Sequence, residues 1–220
     1  QGMGLIGGSY AKALRRLGVK KIIGVDTDGK VLRQAQEQAV IDEALCGAGP
    51  GLQAADVVIC SVYPAATLDF VKSAVPFLKS DVLITDATGI KGSLPEDVQR
   101  LLTGRMEFIA GHPMAGRQGS GFGMSQAEIF DGANYIVVPA AFNSSGAIEW
   151  VSSFAGAIGC GQVVQVDAVE HDRIIAYTSN LPHALAVALI NSASYNENTK
   201  YFIAGSFRDG TRVADLSLIH

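Results

Sequence analysis

The chain has 220 residues, of which 48% are hydrophobic and 17% charged, and its formal net charge is -4. That length allows one large domain, or one domain and part of a second, with enough apolar material for a sizeable core. The charge pattern, with no basic run and no acidic tail, argues against a nucleic-acid surface, and the apolar stretch at 184–190 is too short to span a bilayer.

Gly2-Met3-Gly4-Leu5-Ile6-Gly7 spells the GxGxxG pattern of a dinucleotide-binding turn. Residues 8–17 read as the following helix, with Ala13, Leu14 and Leu17 on one face and Gly18 as the stop. Residues 21–26 form a short buried strand ending in Asp26, about 20 residues beyond the glycines, where a ribose-binding acid is expected. In this reading Gly2 permits the tight turn, Gly4 lets a pyrophosphate approach the backbone, and Gly7 lets the helix pack on the sheet. The first helical N–H groups, from Leu5 and Ile6 onward, face the phosphate. Asp26 accepts from the ribose hydroxyls and repels a 2′-phosphate, which favours NAD over NADP. The plainer alternatives are that Asp26 is a turn residue and that Asp28 caps the next helix. Only Gln1 precedes the motif. The strand expected before such a turn would be central in the sheet, so the chain reads as a fragment, and a leader could have preceded it.

Strand and helix patterns then alternate. Residues 56–62 form a near-continuous apolar run, as a strand buried on both faces requires, and Pro64 ends it. Ser61 and Val62 at its end are expected beside the cofactor. Residues 67–78 read as a helix and 82–86 as a strand. The small-residue stretch 87–92 contains Thr88 and Gly89. Residues 94–102 read as a helix and 107–110 as a strand. Strands at 135–139 and 162–166, with a helix at 147–158 between them, complete a doubly wound parallel α/β sheet. Ligands on such sheets sit outside the carboxyl ends of the strands, where Ser61, Thr88 and His112 fall.

His112 stands in Gly111-His112-Pro113-Met114-Ala115-Gly116, read as a turn stiffened by proline, and histidine exchanges a proton near neutral pH without much tuning. The plainer alternative is a structural loop histidine. From Asp167 the strand signals fade. Residues 170–194 read as one long helix that Pro182 should kink just before His183, whose plainer reading is a helix histidine on a partly wet face. Arg208 and Arg212, four apart on one side of a helical turn, suit a carboxylate; the alternative is surface pairing with Asp209 or Asp215. The division falls at 1–166 and 167–220, the second part being too short for an independent core. Cys46, Cys60 and Cys160 lack metal-type spacing and read as reduced thiols of a cytoplasmic protein, with Cys60 in the core. No metal site is expected.

Four segments together resemble the prephenate and arogenate dehydrogenases of tyrosine biosynthesis. They are the glycine turn with Gly8-Ser9; the His112 segment with Ser120-Gly121; Ser179-Asn180-Leu181-Pro182-His183; and Phe207-Arg208-Asp209-Gly210-Thr211-Arg212. The first is common to many dehydrogenases, whereas the other three in this order are specific. The resemblance implies a Rossmann-type doubly wound sheet followed by an all-helical domain that makes a homodimer, with no nucleic-acid or membrane partner. It implies NAD-dependent oxidative decarboxylation of prephenate, with arogenate as the alternative substrate. His112 would take the proton of the 4-hydroxyl group as hydride leaves. Arg212 would hold a substrate carboxylate, and Arg208 would assist it or hold Asp209. His183 would line the pocket, with Thr88 and Gly89 near the nicotinamide and the hydroxyl. The chain has Asn180 where relatives often have histidine, Gly89 where many have serine, and Gln118 where many have an acid. Stretch 87–92 and Arg117-Gln118 resemble prephenate-type members. The rival readings are another NAD(P)-dependent dehydrogenase or imine reductase, disfavoured by the His-Pro pair, and a module that senses NAD without chemistry.

Overall fold

The computed structural model describes residues 1–215. The chain divides into two units, 1–168 and 169–220.

The first unit alternates strand and helix. α1 (Leu5–Arg16) leads to β1 (Ile23–Val25), α2 (Gly29–Glu37) and β2 (Glu43–Leu45). Then come β3 (Val57–Cys60), α3 (Pro64–Ala74), β4 (Leu83–Asp86), α4 (Leu94–Gln99) and β5 (Glu107–Pro113). β6 (Asn134–Val138), α5 (Ser145–Ala157) and β7 (Gln162–Gln165) close it. α3 begins three residues earlier than the sequence suggests because Pro64 occupies its first turn, where the missing N–H costs nothing. Asp28 caps α2 by accepting from Lys30 N at 2.8 Å.

The strands form two blocks, β1-β2 and β3-β4-β5-β6-β7. Gln1 and Gly2 bridge them. The Gln1 amino group donates to Ile59 O at 2.7 Å, Ser61 N donates to Gln1 O at 2.8 Å, and Gly2 N donates to Val25 O at 2.8 Å. This is the bonding of a strand that lies between β1 and β3 and runs with them. Below these two residues a cavity of about 480 Å³ continues between the blocks, lined by Met3, Val25, Val58 and Ile59 and reaching Lys21 and Asp56.

The two faces of the sheet carry separate cores. Val58, Cys60, Ile84, Phe108 and Ala110 pack with Phe70 and Val71 of α3 and with Val98 of α4. Ile109, Tyr135 and Val137 pack with Tyr10 of α1 and with Val151 and Phe154 of α5. Adjacent strand residues thus go to opposite cores, which is why the strands read as continuous apolar runs. Full burial of each such large side chain contributes about 1.5–3 kcal/mol. Cys60 lies in this core, and burial pushes its thiol up to about 12; all three cysteines are free.

One strand corrects the expected parallel sheet. β6 runs antiparallel to β5, with Gly111 opposite Val137 and His112 opposite Ile136. The connection between them holds only 3-10 turns at Phe122–Met124 and Ala127–Phe130, and without a crossover helix the chain returns in the opposite direction. The same pairing corrects the local reading of His112. It belongs to β5, which runs through Pro113, and not to a turn.

The second unit is helical. The long helix expected over 170–194 is instead α6 (Ala168–Ile175), a π-helical segment at Ala176–Asn180, and α7 (Leu181–Ile190). Pro182 has no N–H to give the carbonyl four residues back, and its ring crowds that carbonyl; the wider π turn accommodates both. α8 (Gly205–Thr211) follows, with a 3-10 turn at Arg212–Asp215. Among the described residues no helix is long and apolar enough to cross a membrane.

Candidate active site

The glycine turn is built by close approach. Gly2 sits at φ +80°, and a Cβ there would lie 2.5 Å from Val62 Cγ1 and 2.7 Å from Ser61 O. A Cβ on Gly7 would overlap Gly2 O. At Gly4 a Cβ would meet nothing within 4 Å, so the outer face of the turn is open. Gly4 also caps α1 without any capping side chain. The N–H groups of Leu5, Ile6 and Gly7 at the start of α1 therefore present the positive helix end to that open face. This arrangement fits a pyrophosphate.

Asp26 follows β1 directly. Its Oδ2 accepts from Met3 N at 2.6 Å and its Oδ1 from Asp28 N at 2.9 Å. The carboxylate therefore ties the end of β1 to the glycine turn, a second task that the sequence did not reveal. Each oxygen retains a lone pair, and the side chain is half-exposed, so acceptor capacity for a ribose remains. Ser61 and Val62 stand just past β3 against the turn. Ser61 Oγ is buried and has no hydrogen-bond partner among the described residues. A buried, unsatisfied hydroxyl beside an open glycine turn is consistent with a polar ligand group nearby.

His112 lies near the end of β5, half-buried, two residues beyond the core residue Ala110 and on the same face of the strand. The preceding residue is held tightly. A Cβ on Gly111 would overlap Tyr135 Oη. Burial pushes the Tyr135 phenol above the ordinary tyrosine range, against the opposing effect of its hydrogen bond with Tyr10, so it stays protonated.

Two residues that the sequence reading missed complete this end of the sheet. Asp86, the last residue of β4, and Lys91 form an ion pair at 2.8 Å whose side chains are both wholly buried. Lys91 Nζ also donates to Thr88 Oγ1 at 3.2 Å and to Gly111 O at 2.6 Å. Asp86 Oδ1 accepts from Gly111 N at 2.9 Å, and Oδ2 accepts from Thr88 N at 3.1 Å. Thr88 Oγ1 donates to Asp86 Oδ2 and contacts Ile90 O at 3.1 Å. The Thr88 hydroxyl is thus bonded within the protein, to Asp86, Ile90 and Lys91. Gly89 follows in the same loop, half-buried. A lysine among Thr, Gly and Ile reads as a surface residue; the signal available was a strand-end aspartate five positions before it.

In the second unit His183 lies in the first turn of α7, half-buried, and its Nε2 is buried with no partner among the described residues. Arg208 on α8 and Arg212 just after it are exposed, and neither pairs with a carboxylate among the described residues.

Comparison with known proteins shows the family of the chain. A family model for the prephenate dehydrogenase nucleotide-binding domain matches residues 10–164, and one for the prephenate dehydrogenase dimerization domain matches 167–217. The chain is 32% identical to a prephenate dehydrogenase of Bacillus subtilis over 98% of its own length and 60% of that protein's. Among solved structures it resembles the A. aeolicus prephenate dehydrogenase in complex with hydroxyphenyl propionate and NAD+, with TM-score 0.87 and 30% identity, covering 98% of this chain and 77% of that one. It also resembles a Synechocystis arogenate dehydrogenase, with TM-score 0.83 and 26% identity, covering 98% and 78%. The chain therefore spans about three-fifths of the length of the Bacillus relative.

Proposed function

The chain belongs to the prephenate dehydrogenase family, and we propose that the protein carries out NAD-dependent oxidative decarboxylation of prephenate to 4-hydroxyphenylpyruvate. The observation that carries this reading is His112, held at the carboxyl end of β5 by the buried Asp86–Lys91 pair through Gly111. A histidine fixed at that edge of a doubly wound sheet, with an open glycine turn serving the same sheet, suits proton removal from a hydroxyl as hydride departs.

NAD, when bound, supplies the hydride acceptor. The open face at Gly4, the N–H groups of Leu5, Ile6 and Gly7, and Asp26 would hold it through pyrophosphate and ribose. The negative charge of Asp26 disfavours a 2′-phosphate. His112 accepts the proton of the substrate 4-hydroxyl as the hydrogen on that carbon leaves as hydride. The bond from the ring to its carboxylate then breaks, its electron pair completes the aromatic ring, CO2 departs, and the ring oxygen takes the proton back from His112. Aromatisation drives the step, so the residues' main work is alignment. Arg212 binds a substrate carboxylate bidentately, Arg208 supports it, and His183 lines the pocket. Arg212→Ala is expected to raise the KM for prephenate about 10–100-fold, as loss of a charge-assisted contact implies. An unchanged KM would move the carboxylate to another residue.

The helical unit is proposed to form a homodimer. Support comes from the description of its family model and from Leu181, Leu185 and Leu189, which are 46%, 57% and 49% exposed at a four-residue spacing along α7. Three free cysteines fit a reducing compartment, and the cytoplasm is the proposed location.

The test is NADH formation at 340 nm by the full-length protein with NAD and prephenate, with arogenate in parallel. Turnover of prephenate at the higher kcat/KM supports the proposal. Preference for arogenate replaces the substrate, and silence with both while NAD still binds replaces the enzyme with a sensor.

A further inference from the structure

The backbone ladder between β4 and β5 pairs Leu83 with Glu107, Ile84 with Phe108 and Thr85 with Ile109, and ends there. β4 then gives way to the 87–92 loop, while β5 runs on for four residues and carries His112. On that side Gly111, one residue short of His112, is met by side chains instead of backbone. Its N–H goes to Asp86 Oδ1 at 2.9 Å and its carbonyl accepts from Lys91 Nζ at 2.6 Å. An acceptor and a donor at those positions do what the next residue of a parallel strand would do. The other side of Gly111 faces β6, opposite Val137.

We propose that Asp86 and Lys91 are positioning residues that extend the β4–β5 ladder as a side-chain pair, and so fix His112 relative to the loop at Thr88 and Gly89. The inference deepens the dehydrogenase reading above and rests on it. The pair is wholly buried, and a buried ion pair is not an efficient way to gain stability, because desolvation offsets most of the attraction. What this pair supplies is direction. Both polar groups of Gly111 and both the N–H and hydroxyl of Thr88 converge on it. The loop and the strand end therefore cannot shift independently. A general base must stay within hydrogen-bond reach of its proton, and displacement of about 1 Å can cost about 100-fold in rate.

The test compares Lys91→Met with the double variant Asp86→Asn plus Lys91→Met in the full-length protein. The single variant leaves a buried carboxylate unpaired and is expected to lower Tm. The double variant removes both charges and is expected to recover much of that Tm. In both, kcat with prephenate should remain at least about 10-fold below the original, while the KM and the NAD dissociation constant change less than about 3-fold. Hydrogen exchange of a peptide covering residues 107–115 should be faster in both. Recovery of kcat together with Tm in the double variant would make the pair merely structural and overturn the inference. Unchanged exchange in that peptide, with an active parent enzyme, would overturn it alone. An inactive parent enzyme would overturn the dehydrogenase reading and this inference with it.

Discussion

Asp26 and Asp86 stand at equivalent places, each where a parallel strand gives way to a loop at the carboxyl edge of the sheet, and they have opposite surroundings. Asp26 is half-exposed and accepts from two backbone N–H groups, those of Met3 and Asp28. Asp86 is sealed, accepts from Gly111 and Thr88, and has Lys91 on both oxygens. Their difference teaches that a strand-end carboxylate can serve a ligand only where acceptor capacity and solvent access remain. Where a lysine fills both, it serves the protein, and it reaches the chemistry through what it holds.

The sharpest way to break this contrast is Asp86→Ala. Lys91 would be left charged and buried without its partner, which costs about 3–5 kcal/mol. Urea unfolding monitored by circular dichroism should show a correspondingly lower midpoint. A loss below about 1 kcal/mol, the typical result for a point substitution, would mean that the pair is not sealed and that Asp86 resembles Asp26 after all.

His112→Asn comes next, since it separates the held residue from what holds it. Turnover should fall about 100- to 10,000-fold while NAD binding and the unfolding midpoint stay near their original values. Unchanged turnover would remove His112 from the mechanism, and a large drop in stability would make it part of the scaffold that Asp86 and Lys91 complete.

The contrast also marks what the sequence could tell. Near-continuous apolar runs were legible because strands buried on both faces need them, as 56–62 and 82–86 show. Asp26 was legible through its distance from the glycines. The direction of β6 was not, since apolar periodicity carries no sense of direction and the decisive fact is the missing crossover helix between β5 and β6. Pro182 located the break in the second helix but not its π-helical form. Lys91 was illegible because its burial depends on Asp86, Thr88 and Gly111 meeting it in space. The candidate site was therefore readable in its residue types and not in the arrangement that supports them.

Asp26→Asn is the gentlest test. Asparagine keeps a carbonyl oxygen that can accept from Met3 N, so the tie between β1 and the glycine turn survives in part, and stability should change by no more than about 1 kcal/mol. The lost charge weakens acceptance from a ribose and removes the repulsion of a 2′-phosphate. NAD affinity, measured by fluorescence titration, should fall about 10-fold, and the preference for NAD over NADP should narrow by more than that. An Asp26→Asn protein that unfolds as readily as Asp86→Ala would show that Asp26 chiefly closes the turn. Unchanged selectivity between the two cofactors would show that the ribose is read elsewhere, and the open carboxylate would lose the role that distinguishes it from the sealed one.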